Sequence, residues 1–298
     1  MTYMSNYVLS CCSTVDLTEE YLRKRDIEYI PFHYELNGKE YTDDMGRSMS
    51  YEDFYQAMAD GAVTKTSQVS AGEYEKYFES FLKKGKDILH LTLSSAISGT
   101  INSANVAREL LLERYPKRKI YVIDSLAASG GYGLLMDKAA DKRDEGVSID
   151  ALAAWIEEHK LELHHWFFTS DLTYLIRGGR VSKVSGYFGN LLSICPLLNV
   201  DYQGRLIPRY KIRTKKKVIA ETLERMKENA EKGLKYDQKV FINDSACRQD
   251  STELAELIRN NFPNIKGEIF QNSIGTTIGS HTGPGTVALF FWGKKRID

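Results

Sequence analysis

The groups in this sequence best placed to bind or transform a small molecule are hydroxyls, glycines and one histidine, set in stretches without charge. A β-rich run, Ile88 to Leu93, leads into Ser94-Ser95-Ala96-Ile97-Ser98-Gly99-Thr100 and then into a helical pattern. Free backbone N–H groups at such a helix start, aided by the dipole and by the hydroxyls of Ser98 and Thr100, form a cradle for an anion. Ser95 and Gly99 belong to the same turn. Taken alone, ordinary N-capping by Ser95 or Ser98 is the better account of the same residues. The turn is no P-loop, because the Walker lysine is absent. Asp124-Ser125 followed by Ser129-Gly130-Gly131 repeats this geometry one unit later, so two such turns can border one pocket. Close helix packing is the alternative for these glycines, and the better one for Gly133. His281 sits in Gly279-Ser280-His281-Thr282-Gly283-Pro284-Gly285, which reads as a tight loop; a lone histidine there is more often structural, yet in a charge-free region its reachable imidazole could donate a hydrogen bond to a carboxylate. His164 and His165 lack metal spacing and read as strand-edge residues.

Three segments, Ile88 to Ala107, Val184 to Val200 and Ile269 to Gly293, contain no Asp, Glu, Lys or Arg. Lined this way, a pocket takes in an apolar tail and offers neutral donors to a polar head, without burying charges of its own. Buried strands with their turns are the competing reading.

The elements that must position these groups alternate in the manner of a layered α/β fold. Tyr7 to Ser10, Glu28 to Tyr34, Ile88 to Leu93 and Ile120 to Asp124 read as strands. Ser70 with Glu73 makes a capping box, after which Phe78, Phe81 and Leu82 share one helical face. Ile101, Ala104, Ala107, Leu110 and Leu111 give a second face. A helix from Ile149 to Lys160 precedes a strand at His165 to Phe168. Two more helices follow, Lys215 to Lys232 and Asp250 to Phe262, the latter opened by an Asp250–Glu253 box. The domain boundary is expected near residue 160, giving units 1–160 and 161–298 with the ligand cleft between them.

Composition excludes several classes of partner. Forty basic residues balance forty acidic ones in 298 residues, so no global field points to nucleic acid or to an anionic membrane. Cys11, Cys12, Cys195 and Cys247 show neither metal spacing nor a disulfide framework, which fits a reducing cytoplasm. Met1 to Val8 lacks the pattern of a signal peptide, and no segment reads as a membrane span.

Taken in order, Thr66-Ser67-Gln68, the Ser94–Thr100 string, Asp124-Ser125, Ile176-Arg177-Gly178-Gly179-Arg180-Val181-Ser182-Lys183 and His281-Thr282-Gly283-Pro284-Gly285 resemble the signature motifs of the DegV family. The resemblance spans roughly residues 7 to 293. It implies a two-domain α/β fold, with a parallel sheet in the N-terminal domain and a mixed sheet in the C-terminal one. A long-chain fatty acid, palmitate- or oleate-like, would lie in a tunnel near the junction as a ligand, with no cofactor or metal. Thr66 and Ser98 would bind its carboxylate, with His281 nearby. The resemblance also implies a fatty acid kinase partner that makes acyl phosphate from ATP, engaged through a surface that includes Arg180 and Arg213. Three departures stand out: Cys12 replaces a family Asp, Val69 a common Pro, and Cys195 a frequent Lys.

Two other functions compete with the non-catalytic carrier. A hydrolase would use a serine of the Ser94–Ser98 cluster with His281 as base, although no G-x-S-x-G elbow occurs. A lipid-responsive regulator would use the same pocket for sensing. Lys215, Lys216 and Lys217 fill a first helical turn, where positive charge opposes the dipole, so either a partner or simple solvation accounts for them.

Overall fold

A computed structural model describes residues 6–181 and 194–297. Ser182, Lys183 and the part of the second uncharged segment from 184 to 193 lie outside the described residues. The N-terminal part is built on a parallel sheet of β2 (Ile27–Ile30), β1 (Tyr7–Cys12), β6 (Asp87–Thr92) and β7 (Ile120–Asp124), in that order. Helices cover both faces, as parallel sheets require. Leu9, Leu89, Leu91 and Ile123 pack with residues of helices Ser129–Asp144 and Ile149–His159, whereas Cys12, Ile88 and Ile120 pack with those of Ala71–Leu82 and Thr100–Arg114. The Ser70–Glu73 capping box is present, with both hydrogen bonds made.

The C-terminal part is a six-stranded mixed sheet, ordered β10 (Leu206–Ile212), β9 (Cys195–Val200), β8 (Leu163–Thr169), β13 (Thr286–Trp292), β11 (Phe241–Asp244) and β12 (Phe270–Ser273). Only its β11–β12 pair is parallel. Twelve of the sixteen residues of helix Ser129–Asp144 are buried, because it touches both this sheet and the parallel one. A surface helix would keep a polar face. A third layer, β4 (Lys39–Thr42), β3 (His33–Leu36) and β5 (Thr64–Ser67), is antiparallel and packs its own small core, Tyr34, Phe54, Tyr55 and Met58.

Several expectations are corrected. The run Glu28 to Tyr34 is two strands in two sheets, since Pro31 has no N–H to continue a ladder. Leu110 is 46% exposed, leaving Ala104, Ala107 and Leu111 as the packed face. The later helix runs Arg248–Asn261 without a side-chain cap, and Asp250 in its first turn pairs with Lys215 instead. His164 and His165 lie on a central strand and are buried. His281 belongs to a short helix, Thr276–Thr282, and not to a loop.

Arg296 ties these parts together from the C-terminal tail. Its buried guanidinium donates to the carbonyls of Leu126, Lys160, Val200 and Asp201, at 2.7 to 3.3 Å. Burial pulls its pKa down to about 10, opposed by Asp201, so the group stays charged at neutral pH.

Candidate functional site

A cavity of about 500 Å³ opens where the three layers meet. Strand β5 brings Thr66 and Ser67 to it, followed by Gln68; the turn after β6 brings Ser95 to Gly99; and helix Thr276–Thr282 brings Thr277, Ile278, His281 and Thr282. The mixed sheet supplies His165, Phe167, Ala288 and Phe290. Further apolar wall comes from Phe32, Leu93, Leu175, Val200, Leu206 and Ile274.

At the polar end, Thr66 Oγ1 lies 2.8 Å from His281 Nε2. Nδ1 of the same ring faces the backbone of Gly178, where a Cβ would stand only 2.6 Å from it. Burial first, and then Arg180, holds the imidazole down at about 4, so it is neutral at pH 7. Ser98 Oγ accepts from the Thr100 amide at 3.3 Å, and among the described residues its own proton has no acceptor. Helix Thr100–Arg114 has Gly99 at its N-cap with no side-chain bond, so neither serine is an ordinary cap.

Four other hydroxyls on the cavity wall are already committed. Ser129 donates to Asp16 at 2.5 Å and Thr277 to Asp43 at 2.6 Å, while Thr282 and Thr286 donate to the backbone carbonyls of Ile278 and Thr282. Burial raises both carboxyl pKa values, that of Asp16 well above the ordinary range. Ser129 reaches Asp16 from a left-handed backbone, φ 53°, a conformation that costs a non-glycine residue roughly 1–2 kcal/mol. Gly130 and Gly131 follow because Phe290 and His165 press against the helix backbone there: a Cβ on Gly131 would lie 2.2 Å from His165 Nε2. Burial keeps His165 well below its ordinary pKa, hence neutral.

The candidates singled out from sequence separate cleanly. Thr66, Ser95, Ser98, Gly99, His281 and Arg180 line the cavity. Thr100 is buried, and its hydroxyl pairs with Tyr74 at 2.9 Å. Tyr74 in turn contacts Cys12 Sγ at 3.2 Å, so a thiol held up at about 11 by burial occupies the position where an Asp was expected. Arg213 is exposed, just before helix Lys215–Asn229, which Thr214 caps. The Asp16–Ser129 and Asp43–Thr277 pairs escaped sequence reading. The signal for the first was an acidic residue between Val15 and Leu17, both fully buried.

Among the described residues no group of three or more His, Cys, Asp or Glu side chains is arranged to hold a metal ion, and no helix is long and apolar enough to cross a membrane. The arrangement is a largely apolar chamber whose polar groups include the Thr66 and Ser98 hydroxyls, a neutral imidazole and the Arg180 guanidinium. Gly178→Ala is expected to push the imidazole off Thr66 and cost about 1–3 kcal/mol of stability through overpacking. Urea unfolding of the variant checks the cost, and the His281 ring signals in NMR check the displacement.

Compared with known proteins, the chain matches the model of the DegV family, described as an uncharacterised protein family, over residues 12–294. It is 39% identical over 295 residues to a DegV domain-containing protein of Clostridium perfringens, covering 98% of this chain and 99% of that one. A fatty acid-binding protein of Thermotoga maritima is 32% identical over 281 residues, which is 93% of this chain and 94% of the relative. Among solved structures, that of a stearic acid-binding protein from Eubacterium ventriosum matches with a TM-score of 0.87 at 26% identity, over 97% of this chain and 99% of the other.

Proposed function

This chain belongs to the DegV family, and we propose that it holds one long-chain fatty acid in the cavity without transforming it and delivers it to a fatty acid kinase. The observation that carries this reading is a cavity with a largely apolar wall in which the Ser98 hydroxyl lies free beside the Thr66–His281 pair. Thr66 and Ser98 would receive the carboxylate there, beside His281. The tail would run between Phe167, Ala288 and Phe290, close to the junction of units 1–160 and 161–298. The Thermotoga and Eubacterium relatives, described as fatty acid- and stearic acid-binding, support the choice of ligand.

A Ser/His hydrolase is a poorer fit. The imidazole bonds a threonine, and its second nitrogen faces a backbone, so no carboxylate orients it as a base. Each buried CH₂ is worth about 0.8 kcal/mol, so affinity should rise about fourfold per carbon as the acid lengthens from octanoate to palmitate. Calorimetric titration of that series tests the reading, and an affinity independent of chain length would refute it.

For delivery, the exposed basic stretch Arg213 to Lys217, together with Arg180, would meet the kinase. Arg213→Ala is expected to leave fatty acid affinity within twofold while slowing acyl phosphate formation with added kinase and ATP. Loss of both would assign the residue to the fold instead.

A further inference from the structure

We infer that His281 takes up a proton from solvent when a carboxylate enters the cavity, so that the acid is bound together with one proton and not as a bare anion. This rests on the fatty acid reading and deepens it. The argument is one of hydrogen-bond direction. Thr66 has a single hydroxyl proton, and its oxygen lies 2.8 Å from His281 Nε2. Nδ1 of that ring is buried against the Gly178 backbone without a well-formed hydrogen bond, and the Gly178 carbonyl accepts from Arg180 at 2.7 Å. A carbonyl beside Nδ1 repels a lone pair and favours a ring proton there, which leaves the lone pair on Nε2. In the neutral site Thr66 must therefore donate to Nε2, which leaves it only lone pairs to show a ligand.

A carboxylate has only lone pairs as well, so the empty site is misdirected for it. One proton added at Nε2 reverses the bond: the ring donates to Thr66, and the Thr66 hydroxyl is released to donate to the carboxylate. Bond directions and charge then agree, with imidazolium facing carboxylate.

The charged groups around the ring permit this shift. Arg180 disfavours the imidazolium in the empty site, together with burial, and an incoming negative charge opposes both. On β5 the neighbouring Lys65 is paired with Glu35 at 3.3 Å, and on β3 His33 is paired with Glu73 at 2.6 Å. From the helix Thr173–Gly178 the close neighbour is Tyr174, whose ring lies where a Cβ on Gly283 would be. Among the described residues no carboxylate contacts His281, so the ligand must supply the counter-charge.

The sign follows. A group whose pKa rises on binding takes up a proton between its free and bound values, so affinity is greatest at low pH and falls up to tenfold per unit as pH rises through that window. The test is calorimetric titration of myristate into the whole protein at pH 6.5, in phosphate and in imidazole buffers of different ionisation heats. Uptake approaching one proton is expected for the wild type and none for His281→Gln. As a second measurement that needs no variant, the ¹³C-labelled His281 ring should titrate near pH 4 in the free protein and above about pH 7.5 in the loaded one, as near-complete uptake at pH 6.5 requires. Binding with no proton uptake, or uptake that persists in His281→Gln, would overturn the inference and leave the fatty acid reading standing. A wild type that takes no myristate would sink that reading and the inference with it.

Discussion

Replacing Arg296 by Met is expected to lower the unfolding free energy by about 3–5 kcal/mol, the cost typical of removing one partner from a buried charged network. The guanidinium serves four carbonyls drawn from the turn after β7, the end of the Ile149–His159 helix and the end of β9. Methionine fills a similar volume but offers none of those donors. Each carbonyl left dry costs about 1–3 kcal/mol, less where water enters. Because Val200 also lines the cavity, loosening this tie should weaken ligand binding as well. Arg296→Lys should recover only part of the loss, since one ammonium cannot span the fork. Urea midpoints at constant slope measure the effect. A change under 1 kcal/mol would mean that water replaces the guanidinium without strain.

The second large effect concerns binding. Thr66→Val with Ser98→Ala should weaken fatty acid affinity by about 1–3 kcal/mol per lost bond to the charged head, so roughly 30-fold to 10⁴-fold together. Neither change removes apolar wall, and Thr66→Val keeps the shape of the side chain. Thr66→Val does leave His281 Nε2 without its partner, so the melting temperature of the free protein should fall modestly, by the equivalent of about 1–3 kcal/mol, while affinity collapses. Fluorescence displacement of a bound acyl probe reads this directly. An unaltered affinity would remove both residues from the head-group site.

Much of the frame was legible in local sequence. Ile120–Asp124 is a strand because β-branched residues and a tyrosine fill it, and Ser70–Glu73 and Thr214 cap helices through bonds that span three residues. These signals are short-range and survive without knowledge of the neighbours. The misreadings fall where tertiary contacts decide. Glu28 to Tyr34 has one continuous pattern, yet Pro31 sends its halves to different sheets. His281 was expected in a loop because of its glycines, but Gly279 is there to admit the Tyr55 ring and Gly283 the Tyr174 ring. Asp250 offered a capping spacing and was claimed by a lysine 35 residues away.

The site divides in the same way. Thr66, Ser98 and His281 stood in recognisable motifs, and all three line one cavity. The hydroxyls committed to Asp16 and Asp43 were invisible, because their partners are more than a hundred residues distant in sequence. Nor could the apolar wall be read, since Phe167, Ala288 and Phe290 differ from their neighbours only in which way the strand turns them.

The most direct test of the central claim is organic extraction of the protein after expression in lipid-replete cells, followed by mass spectrometry of the extract against the protein's molar amount. Close to one equivalent of fatty acid, mainly of sixteen or eighteen carbons as the expected range, is the predicted result. A protein that yields no acid, and that stays empty when offered palmitate or oleate, would contradict the account.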